Sequence, residues 1–146
     1  MKVLLINGSP HAEGCTYTAL SLVAGELNAA GIETEILNVG TQPVGGCIGC
    51  GGCASGSGCV FGGVVNEAIE KAKTADGFVF GSPVHYASAS GNMTSFMDRL
   101  SYAGGKYLAY KPAAICCSAR RAGTTTTLDQ LVKYPQFFHM PLVNGS

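Results

Sequence analysis

The chain has 146 residues, a length typical of one domain, and 47% of them are hydrophobic, enough for a single buried core. Nine basic and nine acidic side chains give a formal net charge of zero, so the composition lacks the basic excess of proteins that bind nucleic acids. No apolar run reaches the length of a signal peptide or of a membrane span, which predicts a soluble, cytoplasmic protein with no membrane partner.

The first twenty residues predict a strand, a small-residue loop and a helix. The apolar run 2–6 is typical of a strand covered on both faces, and from Thr16 the apolar residues recur at helical spacing as far as Ala30. Backbone N–H groups at such a helix start favour an anion, and Ser9, Thr16 and Thr18 add hydroxyl donors. A simple strand-to-helix turn with capping hydroxyls remains the alternative.

The rest of the chain continues the alternation of strands and helices. Strands are predicted at 33–39, 77–81, 113–117 and, as an opening only, 141–143, and helices at 64–74, 92–103 and 125–134. The alternation predicts an α/β fold with a parallel sheet. Small-residue loops follow the strands at 2–6, 77–81 and 113–117, and all three are expected at the carboxyl edge, where they form one crevice.

Seven cysteines, an odd number, argue against a disulfide scaffold in a chain without an export signal. Cys47, Cys50, Cys53 and Cys59 lie in a glycine-rich loop, 40–63, which we interpret as an insertion in a single domain spanning 1–146. Their C-x2-C-x2-C-x5-C spacing is close to a bacterial ferredoxin run and implies one [4Fe–4S] cluster. Structural zinc, free thiols, or a disulfide formed after cluster loss are the alternatives. Cys116 and Cys117 are expected to be small core residues of a buried strand.

Three motifs form a recognisable set: GSP at 8–10 with Thr16, GSPVHY at 81–86 leading to Gly91, and FMDR at 96–99. Together they resemble the NADPH-dependent FMN reductase family of flavodoxin-like proteins, and more narrowly its iron–sulfur flavoprotein branch. The resemblance implies an open parallel sheet of order 2-1-3-4-5 with helices on both faces, FMN as cofactor, and a homodimer or homotetramer. The family continues through a fifth strand and a final helix, so the chain is interpreted either as truncated or as completed by another protomer.

The resemblance also assigns residues to the cofactor. It implies that the phosphate of FMN is surrounded by Ser9, His11, Cys15, Thr16 and Thr18. The isoalloxazine edge would be lined by Pro83, Val84, His85 and Tyr86, with Gly91 allowing close approach, and the other end of the ring covered by Ser118, Ala119, Arg120 and Gly123. We expect Tyr86 to cover the ring, with a core aromatic as the alternative. Arg120 and Arg121 are expected to meet flavin or nicotinamide charges, and for Arg121 a solvated position on the loop is the alternative. Asp98 and Arg99 are expected to form a structural ion pair or cap.

The resulting prediction is an FMN-dependent oxidoreductase that accepts electrons from NAD(P)H and passes them to a small acceptor such as a quinone or free flavin. The alternative is an electron carrier in which the cluster and FMN relay single electrons from a ferredoxin-like donor. A third hypothesis is a flavin or redox sensor whose output is a change in assembly.

Overall fold

The computed structural model describes residues 1–144, and within them the chain forms five strands and four α-helices. The strands are β1 (Lys2–Asn7), β2 (Glu33–Asn38), β3 (Gly77–His85), β4 (Ser88–Ala89) and β5 (Ala113–Ser118). The α-helices are α1 (Cys15–Ala29), α2 (Val64–Thr74), α3 (Gly91–Gly104) and α4 (Thr124–Phe137). Residues 145 and 146 of the predicted domain lie outside the described part.

The main sheet is parallel, in the order β2-β1-β3-β5. Leu142 adds a parallel bridge to Ala113 on the outer side of β5, through bonds of 2.9 Å from Ala113 N to Pro141 O and 2.8 Å from Val143 N to Ala113 O. β5 is the predicted fourth strand and Leu142 opens the fifth. The predicted order, 2-1-3-4-5, is therefore confirmed.

Alternating side chains of the strands pack into two core clusters on opposite faces of the sheet. Val3 and Leu5 of β1 face α1, whereas Leu4 and Ile6 of the same strand face the cluster built with α2, α3 and α4. This arrangement confirms the prediction of helices on both faces. Among the helices of residues 1–144, none combines the length and apolar character that crossing a bilayer requires.

Two predictions about the strands need correction. β3 continues through Pro83 to His85 rather than ending at Gly81, because Pro83 pairs with Ser118 of β5 and the strand then turns back antiparallel as β4. β5 is only half-buried after Ala113, because its outer side carries the single bridge from Leu142. Cys116 and Cys117 are therefore partly covered, not core residues of a fully buried strand.

Candidate functional site

The end of β3 and the loops that follow β1 and β5 meet around one cavity of about 390 Å³ at the carboxyl edge of the sheet. Its lining residues are Ser9, His11, Gly14, Cys15, Thr16, Pro83, Val84, His85, Ser118, Ala119 and Arg120. The predicted crevice is therefore present. Thr16 in the first turn of α1 and Ser118 at the end of β5 are joined directly, with their hydroxyl oxygens 2.8 Å apart.

The first loop is shaped by side chains that the sequence analysis did not single out. The buried Asn7 accepts a 3.1 Å hydrogen bond from Ser9 N on its Oδ1 and donates its Nδ2 to Asn38 Oδ1 at 2.8 Å. Ser9 Oγ in turn accepts from His11 N at 3.1 Å, which closes the turn. An amide directly after a strand is the signal that could have indicated this role, because such side chains commonly organise turns.

Gly40, which follows β2, lies directly against the backbone of this loop. A Cβ at Gly40 would lie 2.4 Å from both Gly8 O and Ser9 O. Any residue other than glycine at this position would therefore require the backbone of the first loop to move.

The electrostatic character of the cavity suits an anion. The N-cap of α1, Gly14, offers no capping side chain, and the first turn of the helix contains no acidic residue. The first N–H groups of a helix have no partner within the helix, and the helix dipole is positive at that end. His11, His85 and Arg120 are the lining residues that can carry positive charge, and none of the eleven lining residues carries a carboxylate.

A second and more open cavity of about 700 Å³ shares Val84, His85 and Arg120 with the first and adds Tyr86 and Arg121. Tyr86 and Ala87 form the β3–β4 turn, both with positive φ (51° and 60°), and the side chain of Tyr86 is fully exposed. The alternative of a core aromatic at Tyr86 is therefore wrong.

The turn is supported from α4, whose N-cap is Gly123. Gly123 has a φ of +93°, and a Cβ there would lie 2.6 Å from Ala87 Cα. Thr126 Oγ1 donates to Ala87 O at 2.8 Å. Gly123 thus lets α4 approach the turn and does not itself line the first cavity.

Two further predicted residues lie outside the first cavity. Thr18 is exposed on α1, where its hydroxyl donates to Gly14 O at 3.2 Å. Gly91 lines a separate cavity of about 290 Å³ together with Gly8 and His85. A Cβ at Gly91 would meet nothing within 4 Å, so this position is open on the protein side.

Ser90 ties α3 to the first loop. Its hydroxyl donates to Gly8 O at 2.7 Å and accepts from Met93 N at 3.2 Å, so the same side chain caps the helix and holds the loop. Ser90 N donates to Ser82 Oγ at 3.0 Å. Two of these bonds hold the start of α3 against the first loop and β3, and the third caps the helix.

All four cysteines of the insertion loop line one cavity of about 270 Å³. Arg99 of α3 reaches into the loop: its Nε donates to Cys59 Sγ at 3.2 Å, and its terminal nitrogens donate to Gly62 O at 3.0 Å and Gly45 O at 3.4 Å. The predicted ion pair between Asp98 and Arg99 is wrong, because Asp98 instead accepts a 2.6 Å hydrogen bond from Tyr134. Neighbouring residues on a helix point in different directions and do not face each other.

These cysteines fit an iron–sulfur cluster in donor type, since four thiols face one cavity. Within residues 1–144, however, no group of three or more His, Cys, Asp or Glu side chains is gathered closely enough to hold a metal ion. All seven cysteines of positions 15–117 are free thiols. The loop thus brings the four cysteines to one cavity without gathering them into a coordination set.

The two cysteines of β5, Cys116 and Cys117, have thiol pKa values raised above the usual range, unlike the lowered values of reactive cysteines. Burial, with a smaller effect from neighbouring Cys117, raises the pKa of the Cys116 thiol to about 11. Burial also raises the pKa of the Cys117 thiol. Both side chains are therefore protonated near neutral pH, when a thiol is a weak nucleophile.

Comparison with known proteins identifies the family. The family model described as NADPH-dependent FMN reductase matches residues 1–146. An iron-sulfur flavoprotein of Methanocaldococcus jannaschii is 35% identical over 99 residues, which are 68% of this chain and 51% of that protein. An iron-sulfur flavoprotein of Methanosarcina thermophila is 28% identical over 152 aligned residues, covering 99% of this chain and 78% of that protein. The chain spans about half the length of most of the curated relatives it matches.

Solved structures agree on the fold. An NADH:FMN oxidoreductase in its apo form superposes with a TM-score of 0.74 at 18% identity, covering 98% of this chain and 72% of that one. A flavodoxin from the domain Archaea gives a TM-score of 0.69 at 14% identity, covering 99% and 80%. The predicted flavodoxin-like α/β fold is confirmed. Because the family model matches along the whole length, the chain belongs to the NADPH-dependent FMN reductase family.

Proposed function

We propose that the protein binds FMN in the crevice formed by the three loops and acts as an oxidoreductase that takes electrons from NAD(P)H and passes them to a small acceptor such as a quinone or a flavin. The observation that carries the proposal is the convergence of eleven residues from three strand ends on one cavity without a carboxylate. Family membership supports the same cofactor.

The phosphate end of FMN is assigned to the start of α1. The uncapped helix terminus at Gly14 supplies N–H donors, and Ser9, Thr16 and His11 surround the same space. Thr16 is 1% exposed and already holds Ser118, so its hydroxyl is fixed before any ligand arrives. Cys15 lines the cavity as an exposed thiol beside this group.

The ring end is assigned to the shared boundary of the two cavities. Val84, His85 and Arg120 line both cavities, and Pro83 and Ala119 line the first cavity beside them. Tyr86 is exposed on the strained β3–β4 turn, and we assign it to cover the ring. FMN, when bound, would supply the hydride and electron chemistry, and these residues would bind and orient it.

The proposal includes a [4Fe–4S] cluster held by Cys47, Cys50, Cys53 and Cys59, supported by their shared cavity and by relatives named iron-sulfur flavoproteins. The alternative function is single-electron relay from a ferredoxin-like donor. Its support is that α3 runs from the crevice to the cysteine cavity. This helix begins at Gly91 beside the crevice and carries Arg99 at the cysteine cavity, eight residues along, or about 12 Å of helix.

A homodimer or homotetramer is also proposed. Tyr102 and Phe137, 75% and 78% exposed, line a groove of about 390 Å³ between α3 and α4. Exposed aromatic patches of this kind favour association. Light scattering is expected to give a mass of two or four chains, and a monomer at micromolar concentration would contradict this part.

The function is tested by loading the protein with FMN under anaerobic conditions and adding NADH, NADPH or reduced ferredoxin separately. Bleaching of the flavin absorbance by a nicotinamide, followed by recovery with a quinone, supports the reductase. Bleaching by reduced ferredoxin alone would favour the relay, and a protein that does not bind FMN would refute both.

A matched pair of variants on α1 locates the FMN site. Thr16→Val removes the hydroxyl that bonds to Ser118 in the lining of the cavity, and Thr18→Val removes one that is exposed and bonded to Gly14 O. We expect Thr16→Val to weaken FMN binding about tenfold, equal to about 1.4 kcal/mol, and Thr18→Val to leave it unchanged. Equal losses in the two variants would contradict the placement of the phosphate.

A further inference from the structure

Arg99 is a buried cation with no carboxylate partner. The residue is 6% exposed, and its guanidinium donates to a sulfur and to two backbone carbonyls. The ion pairs of residues 1–144 involve other groups, so no carboxylate in that part of the chain lies within 4.0 Å of Arg99. Phe61 stacks over the guanidinium with 5.3 Å between the guanidinium carbon and the ring centroid.

A buried charge without a counter-charge is costly, because the low-dielectric surroundings neither solvate nor neutralise it. The cavity beside Arg99 has no carboxylate among its lining residues; it has the sulfurs of four cysteines. The negative charge that the position requires must therefore come from those sulfurs or from what they bind.

We propose that Arg99 is the counter-cation of the cysteine-ligated cluster and the positioning residue for its ligand Cys59. This inference rests on the proposed function, because it needs a cluster whose thiolate ligands make the centre anionic. The guanidinium bonds to Gly45 O before the first cysteine and to Gly62 O after the last, so one side chain holds both ends of the ligand segment. Its Nε fixes the sulfur of Cys59 from α3.

The backbone of Cys59 is held by Asn66 and not by Arg99, so the anchoring of the main chain can be separated from the positioning of the sulfur. Cys59 N donates to Asn66 Oδ1 at 2.8 Å, and Asn66 Nδ2 donates back to Cys59 O at 3.0 Å. Loss of Arg99 therefore leaves the Cys59 main chain anchored on α2, while the sulfur loses its hydrogen bond and the cavity loses its positive charge. A positive charge and an N–H donor at a ligand sulfur both favour the reduced cluster.

The experiment uses the full chain as wild type, Arg99→Gln and Arg99→Lys. Lys106→Gln serves as the control, since Lys106 is an exposed cation whose Nζ lies 3.9 Å from where a Cβ of Gly56 would be, beside the same loop. Each protein is treated with iron, sulfide and dithiothreitol under anaerobic conditions. Iron and sulfide content, the dithionite-bleachable absorbance, the midpoint potential and FMN affinity are then measured.

Wild type and Lys106→Gln are expected to take up about four iron atoms per chain. Arg99→Gln is expected to lose half or more of the iron. In the cluster that remains, the ratio of reduced to oxidised form at a given potential is expected to fall tenfold, which is a shift of the midpoint potential by 59 mV to more negative values for a one-electron couple. Arg99→Lys keeps the charge and is expected to restore the potential towards that of wild type. Unchanged FMN affinity in all variants shows that the domain is folded.

Two different failures are distinguishable. If the wild type takes up iron and Arg99→Gln matches it in both iron content and potential, the role of Arg99 is refuted while the cluster stands. If Lys106→Gln shifts the potential as much as Arg99→Gln, a specific counter-cation is likewise refuted. Wild-type protein that binds FMN but no iron would overturn the cluster and, with it, this inference.

Discussion

Replacing Gly40 by alanine tests how the second strand supports the FMN crevice. The added Cβ would lie 2.4 Å from Gly8 O and 2.4 Å from Ser9 O, about 1 Å short of ordinary van der Waals contact. Neither oxygen belongs to a side chain that could rotate away. Gly40 itself is fixed, since its N donates to Asn7 O at 3.3 Å and its O accepts from Asn92 Nδ2 at 2.9 Å.

The clash has to be relieved by moving the β1–α1 loop. Overpacking of this kind costs about 1–3 kcal/mol, and we expect a value of about 2–3 kcal/mol because only backbone can yield. FMN affinity is expected to fall at least tenfold, or about 1.4 kcal/mol, because the displaced loop carries Ser9 and leads into the α1 terminus.

Urea unfolding and an FMN fluorescence titration measure the two effects. Gly25→Ala is the control: it lies inside α1, its Cβ would meet nothing within 4 Å, and it is expected to raise stability by about 0.5–1 kcal/mol. A Gly40→Ala protein with wild-type stability and wild-type FMN affinity would refute the reasoning.

Three further predictions follow from single side chains. Ser90→Ala removes the cap of α3 and the bond to Gly8 O, so the free energy of unfolding should fall by about 1–2 kcal/mol in urea titrations, and no loss would contradict the double role. Gly91→Ala should leave stability unchanged and weaken FMN binding, because the position is open on the protein side and is assigned to the close approach of the flavin; unchanged affinity would remove Gly91 from the site. Because the folded-state pKa of Cys116 is raised to about 11, unfolding releases a proton from about pH 9 upward, so stability should fall by up to about 2 kcal/mol between pH 9 and 11. Cys116→Ala should show a flatter dependence over that range, and an identical slope would contradict the shift.

Much of the fold was predictable because its signals are local. The apolar run of β1 predicts a strand and the helical periodicity of α2 predicts a helix, and the helix bounds at 64–74 are confirmed. The crevice followed from topology, since the loops after parallel strands share one edge of the sheet. The segments around Ser9 and Ser118 were thus expected together, and the 2.8 Å contact between the hydroxyls of Thr16 and Ser118 joins the start of α1 to the end of β5.

The remaining features depend on contacts between residues distant in sequence. Arg99 lies forty residues from Cys59, and nothing near it in the chain indicates that its guanidinium reaches a sulfur. Gly40 shows its constraint only when β2 is placed beside β1. The extension of β3 to His85 depended on pairing with β5 and β4, which overrode the small-residue signal of a loop.

A titration of the wild-type protein with FMN and, separately, with riboflavin tests the central claim most directly. The two ligands share the ring and differ in the phosphate that the account places at the N-terminus of α1. We predict that FMN binds at least tenfold more tightly and that Thr16→Val removes much of the difference. Equal affinity for riboflavin and FMN, or no binding of either, would contradict the assignment of the crevice.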